Sequence, residues 1–168
     1  MKLEAIVVGT VAMGRGNATK DLAGNAQQLR ELLGTELFPG SLNVILKRPL
    51  RLREAAALRF DRGMRLLWPA TMHGTPVWLY RWRWAPLHVV EVLSTVGLRK
   101  TLQLANGDLV TLSIRTEQLG AVSLLSTLAW SAFWLGRRDW CYSNDRYYQR
   151  TSRWCRRLGA TQARSAEG

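Results

Sequence analysis

Three short segments hold residue types that can do chemistry. In Gly14-Arg15-Gly16-Asn17, glycines let backbone N–H groups approach phosphate oxygens with no Cβ in the way, and Arg15 adds positive charge. The segment lacks the downstream Gly-Lys-Ser/Thr of a Walker loop and the third glycine of a dinucleotide fingerprint, so alone it equally describes a turn. In Phe38-Pro39-Gly40-Ser41-Leu42-Asn43-Val44, Ser41 and Asn43 are two apart, and extended backbone would send both side chains to one face. A hydroxyl and an amide oxygen are hard ligands, suited to a Mg2+ ion that draws its other ligands from water and phosphate. The same pair can instead bond local backbone where a turn enters a strand. Glu91 is the only acid between Asp61 and Asp108 and interrupts the apolar run Val89-Val90-Glu91-Val92-Leu93. A carboxylate there must face solvent, find a partner or sit in a site. His73 and His88 have no Asp or Ser partner at motif spacing, no nucleophile elbow or HExxH helix is present, and Cys141 and Cys155 match no zinc spacing.

The elements that must position these residues are mostly strands. Glu4–Thr10 is a β-branched run leading into the glycine loop Met13–Asn17. Ala23–Leu33 places Ala26, Leu29, Leu32 and Leu33 on one helical face, with Gly34 as the stop. After the Phe38–Ser41 turn, strands are predicted over Leu42–Leu46, Met64–Trp68, Val77–Trp82, Leu87–Leu93 and Leu109–Ile114, with one or two helical turns over Leu98–Leu104. About six strands with short helical inserts, and no alternating β-α period, predict a mainly β fold: a small β-barrel or an α+β domain.

The chain has 168 residues and a net charge of +12, with 47% hydrophobic residues. That is too apolar for disorder, and two cysteines exclude a disulfide-stapled scaffold. Glu4 stands where a secretory leader needs apolar residues, so a cytoplasmic location is expected. The charge calls for a polyanionic partner, and the densest basic stretch, Lys47–Arg65, reads either as a solvated face or as a surface for an anionic ligand.

Taken in order, these segments resemble the archaeal-type CTP-dependent riboflavin kinase family over roughly residues 4–115. The matching parts are Gly9–Asn17, the helix ending Leu32-Leu33-Gly34, Pro39-Gly40-Ser41-Leu42-Asn43-Val44-Ile45-Leu46, Val89–Leu93, and Gly97-Leu98-Arg99 followed by Leu104-Ala105-Asn106-Gly107-Asp108-Leu109-Val110. The resemblance implies a six-stranded cradle-loop barrel over 1–116. It also implies transfer of the CTP γ-phosphate to the 5′-hydroxyl of riboflavin, giving FMN and CDP. By the same resemblance, Ala12, Met13, Gly14, Arg15, Gly16 and Asn17 would wrap the phosphates, and Val96, Gly97, Leu98 and Arg99 would line the cytidine site. Ser41 and Asn43 would hold Mg2+. Glu91 would contact the flavin and is the candidate general base, with Arg83 at a second flavin-contacting position. Ala12 replaces a family glycine, Ala18 an aromatic, Arg83 a hydroxyl residue and Ser94-Thr95 an Ala-Pro pair, so the phosphate side is better kept than the flavin side. Two alternatives stand beside this: a related kinase for another alcohol, and a non-catalytic basic barrel that binds nucleic acid. The leading assignment expects a monomer with no nucleic-acid partner.

Residues 117–168 fall outside the resemblance and are expected to form a helical, Trp- and Arg-rich extension. Leu119–Gly136 is uncharged for 18 positions, the lower edge for a membrane span, and is followed by Arg137 and Arg138. It reads as a helix packed on the barrel, as a segment associated with a membrane or its surface, or as disordered chain. Asp145–Leu158 reads as a basic amphipathic helix with Tyr147, Thr151, Trp154 and Leu158 on its apolar face, and Ala160–Gly168 as a frayed end.

Overall fold

The computed structural model describes residues 3–14, 17–136 and 140–163. Its centre is a closed barrel of six antiparallel strands: β1 (Glu4–Ala12), β2 (Leu42–Leu46), β5 (Arg65–Met72), β6 (Thr75–Trp82), β7 (Val89–Leu93) and β8 (Leu109–Arg115). The order around the barrel is β5-β6-β7-β2-β1-β8, and Thr71 and Met72 of β5 pair with Ser113 and Leu112 of β8 to close it. Two short strands missing from the predicted set accompany it, β3 (Arg51–Leu52) and β4 (Leu58–Phe60), the latter paired to the start of β5. Alternate residues point inward, as the pleat requires, and Val11, Val44, Leu66, Trp68, Leu79, Val90, Val92, Val110, Leu112 and Ile114 fill the interior. β5 and β6 form a hairpin across His73 and Gly74, whose φ values of 47° and 78° suit a two-residue primed turn.

The helix predicted over Ala23–Leu33 is two: α1 (Asn17–Gly24) and α2 (Ala26–Leu33). The break is at Asn25, which leaves the helical region at φ −121°, ψ 16° and donates from Nδ2 to the Asp21 carbonyl at 2.8 Å. Helix α2 stops where expected, at Gly34 with φ 67°, whose N–H returns to the Arg30 carbonyl. A third helix, α3 (Leu98–Thr101), follows β7.

The extension packs on the barrel. Strand β9 (Leu119–Gly120) pairs with β3. Helix α4 (Leu124–Phe133) is N-capped by Ser123, whose Oγ accepts from the Ser126 N–H at 3.1 Å. Its ten residues rise about 15 Å, half of a bilayer core, and among the described residues no helix is long and apolar enough to cross a membrane. Helices α5 (Trp140–Ser143) and α6 (Asp145–Arg157) follow, the latter capped by Asn144. The face of α6 turned to the protein is Thr151, Ser152 and Cys155; Trp154, expected there, is 46% exposed. Small side chains let this helix approach closely, and the Trp154 ring instead lies under the Arg157 guanidinium.

The chain end is also not frayed as far as Ala163. Ala160, Thr161, Gln162 and Ala163 are buried, with Gln162 N–H donating to the Ala85 carbonyl and Ala163 N–H to the Arg83 carbonyl. The cause is a pair of buried arginines. Arg51 donates to the carbonyls of Gly159, Thr161 and Gln162, and Arg81 to those of Leu50, Val89 and Leu87 and to Gln162 Oε1. Burial, with Arg51 nearby, pulls the Arg81 pKa down to about 9, which still leaves it charged at neutral pH. The basic stretch Lys47–Arg65 is therefore not one surface: Arg51 is buried, Arg59 pairs with Glu54, and Arg65 pairs with Asp21 and Asp61.

His88 seals the same junction, 3% exposed, with its ring 4.4 Å from that of Trp134. Burial first, and Arg81 second, pull its pKa down to about 3. The unfolded chain takes up this proton near pH 6.5 and the folded one does not, so stability is full above that pH and falls as pH drops. The expected loss is about 1 kcal/mol per pH unit below 6.5, continuing toward pH 3. Urea unfolding at pH 7.5 and 5.0 would show it, and a stability loss over that interval no larger in wild type than in His88→Phe would refute it.

Candidate active site

Three of the predicted site residues, Ala12, Asn43 and Glu91, lie in one row across neighbouring strands, and Tyr80, outside the predicted set, extends it to a fourth. Ala12 of β1 is opposite Asn43 of β2, Asn43 opposite Glu91 of β7, and Glu91 opposite Tyr80 of β6. Cross-strand partners share a face. Since the adjacent Val11, Val44, Val90 and Leu79 point into the core, this row points out of the barrel. Two helical covers sit on that outer face. From one side Leu22 and Leu29 of α1 and α2 pack with Phe60, Leu67, Tyr80 and Leu93. From the other, Tyr142 and Tyr148 of α5 and α6 pack with Ala12, Ile45 and Val89. The outward residues of β7 are Val89, Glu91 and Leu93; each apolar one lies under a cover, and Glu91 lies in the gap.

The gap is a cleft of about 910 Å3. Its floor holds Ser41, Asn43 and Glu91, with Gly14 at one edge; Thr19, Lys20 and Asp21 stand on the α1 side, and Tyr142, Tyr148, Gln149, Ser152, Arg153 and Arg156 on the extension side. Ser41 Oγ donates to Glu91 Oε2 at 2.5 Å. Asn43, only 4% exposed, accepts at Oδ1 from the Tyr142 hydroxyl at 2.8 Å. Gly14 comes so close that a Cβ there would lie 3.2 Å from Asn43 Nδ2.

Charge in the cleft is partly spent. Arg65 pairs with Asp21 at 3.0 Å and donates to the Tyr80 hydroxyl at 3.0 Å. Burial pushes the Tyr80 phenol well above its usual pKa despite Arg65, so it keeps its proton at neutral pH. Arg156 lies 4.2 Å over the Trp84 ring. Lys20 and Arg153 have no carboxylate within ion-pair distance among the described residues, and the Ser152 hydroxyl, buried in the α6 wall, has no protein partner there. The cleft thus offers cations and a hydroxyl to an anionic, hydrogen-bonding ligand.

The other expected residues fall as follows. Ala12 and Met13 precede Gly14 but are not among the cleft-lining residues, Ala12 being buried against Tyr142 and Met13 exposed; Arg15 and Gly16 lie outside the described residues; Asn17 opens α1. Val96 is exposed, Gly97 abuts the Phe38 ring, and Leu98 is buried in the barrel core. Arg99 ties this second loop to the first by donating to the Ala12 carbonyl at 2.7 Å and to Asn106 Oδ1 at 2.9 Å. Arg83 does not line the cleft with Glu91. Its Nε is 4.0 Å from Glu54 Oε2 and its guanidinium is 5.7 Å from the Trp84 ring. None of the extension-side residues is among the predicted site residues; the basic helix Asp145–Leu158 that carries most of them reads in the sequence as fit for a protein groove or an anionic surface.

Comparison with known proteins now bears on this geometry. The chain is similar to a riboflavin kinase. That protein, from Ignicoccus hospitalis, is 33% identical over 115 residues, covering 56% of this chain. The chain spans about 62% of the length of that relative. No family profile matches.

Proposed function

We propose that the cleft phosphorylates riboflavin: the γ-phosphoryl group of a nucleoside triphosphate, CTP by resemblance, passes to the ribityl 5′-hydroxyl, giving FMN and CDP. A bond forms from the 5′-oxygen to the γ-phosphorus, the bond to the β,γ-bridging oxygen breaks with that oxygen leaving on CDP, and the hydroxyl proton passes to the Glu91 carboxylate. The observation that carries this is the cluster Ser41, Asn43 and Glu91 on one cleft floor, in a chain similar to a riboflavin kinase.

The donor set suits Mg2+. By donating its own proton to Glu91, Ser41 leaves Oγ as an acceptor, and the Asn43 amide oxygen keeps a second lone pair beside its bond from Tyr142. Among the described residues no group of three or more His, Cys, Asp or Glu could hold a metal alone, so the ion would arrive with phosphate and water ligands. Bound there, it would neutralise phosphate charge. The chain's own residues do the rest: Gly14 lets backbone approach the phosphates, Lys20 and Arg153 add positive charge from the two walls, and Glu91 receives the acceptor hydroxyl.

Incubating the full chain with riboflavin, Mg2+ and each of the four nucleoside triphosphates tests this. FMN is expected, fastest with CTP; folded protein that makes no FMN with any of them would overturn it. A second reading, a kinase for another alcohol, is favoured by one observation: Arg83 lies away from the cleft while Trp82, Trp84 and α6 form its far end. CTP binding without riboflavin binding would select it.

A further inference from the structure

We infer that the C-terminal extension is a working part of this site, and that Tyr142 acts through it as a positioning residue for Asn43. This rests on the proposed role of Asn43 as a metal ligand.

An asparagine amide offers an oxygen on one side and an NH2 on the other, nearly equal in shape and opposite in effect on a cation. Only the oxygen can be a ligand, so an amide free to turn over would spend part of its time repelling the ion. Tyr142 removes that freedom. Its hydroxyl donates to Asn43 Oδ1 at 2.8 Å in a buried setting, which fixes the oxygen as the acceptor. Gly14 lies near the other side of the amide: a Cβ there would be 3.2 Å from Nδ2. Of the outward neighbours of Asn43, Ala12, Ile45 and Val89 are apolar, and the Ser41 hydroxyl donates to Glu91 instead. The ring is itself held: Tyr142 is 4% exposed, packs on Ala12 and Val89, and meets Tyr148 edge-on at 5.4 Å. The contact joins residues 99 apart in sequence, so the extension is what brings it about. A second observation places the same extension against the ligand: the buried Ser152 hydroxyl on α6 lines the cleft with no protein partner among the described residues.

The test is Mn2+ binding to the full chain with saturating CDP and no riboflavin, followed by the electron paramagnetic signal of free Mn2+, with a melting curve for every variant. Tyr142→Phe keeps the ring packing and removes only the hydroxyl; it is expected to weaken Mn2+ by about 10-fold, the scale of a lost outer-shell partner. Tyr147→Phe, which removes a hydroxyl bonded to the Phe133 carbonyl elsewhere in the extension, is expected to bind as wild type. Asn43→Asp presents oxygen on both sides, so adding Tyr142→Phe to it is expected to cost almost nothing further. Wild-type Mn2+ binding by Tyr142→Phe, with Asn43→Ala weakened, would overturn the role of Tyr142 and leave the metal assignment standing. An equal Tyr142→Phe penalty in the Asn43→Asp background would show a structural effect and also overturn it. Unweakened binding by Asn43→Ala would overturn both.

Discussion

Asn43→Ala is expected to lower FMN formation at saturating substrates by about 100-fold, the range seen when one preorganised electrostatic contact to a reacting group is removed. Three features make this the most sensitive position. Asn43 is central in the row Ala12–Asn43–Glu91–Tyr80, so its side chain cannot be replaced from a neighbouring strand. It accepts from Tyr142 in the extension wall, and it lies so near Gly14 at the cleft edge that a Cβ there would be 3.2 Å from its Nδ2. Its truncation also leaves the buried Tyr142 hydroxyl without that acceptor. The last effect costs about 1–3 kcal/mol of stability, so the variant melts lower but stays folded. Rapid-quench measurement of FMN separates the two consequences: the turnover loss should persist well below the melting transition. Near-normal turnover would show that Asn43 holds no part of the phosphoryl-transfer site. Ser41→Ala should lose less, because Glu91 remains to occupy the same corner.

Much of the frame behind this prediction is legible in the sequence, for a local reason. Strand β2 runs over Leu42–Leu46 as read, because a turn at Pro39-Gly40 and an apolar run mark both its ends. Ser41 and Asn43 share a face because period-2 geometry leaves no alternative once the segment is extended. Gly34 ends α2 because only a residue tolerant of φ 67° closes that helix so tightly. What escaped is long-range. Arg51 looks like a surface charge until chain-end carbonyls reach it, and Arg81 until the carbonyls of Leu50, Leu87 and Val89 and the Gln162 side chain do. Helix α6 hides Thr151, Ser152 and Cys155, residues that an apolar count undervalues, while the more conspicuous Trp154 stays outside. The cleft itself has one wall from α1 and another from α6, more than a hundred residues apart, and no pattern within a window of sequence links them.

That dependence of the cleft on the chain end leads to the second large effect. Gln162→Leu is expected to destabilise the protein by about 3–5 kcal/mol, because it leaves a buried cation short of an acceptor and strands two buried backbone groups. Gln162 Oε1 accepts from Arg81 Nη1 at 2.9 Å and from the Leu52 N–H at 3.3 Å, while its Nε2 donates to the Leu52 carbonyl at 2.5 Å. Leucine fills similar volume but meets none of these needs, and Arg81 is only 1% exposed, so water cannot readily take over. The three carbonyls that remain to Arg81 keep the loss from being larger. For a chain of this size the shift is roughly 10 °C in melting temperature. Gln162→Glu should recover part of it, since a carboxylate still accepts from Arg81 but has no donor for Leu52. Because residues 159–163 anchor the end of α6, the leucine variant should also loosen the cleft wall, raising the KM for nucleotide at temperatures where the barrel is still folded. A leucine variant that melts with wild type would mean that Arg51 and the backbone bonds of Gln162 and Ala163 hold the chain end without the Gln162 side chain, and that the extension is docked by its backbone alone.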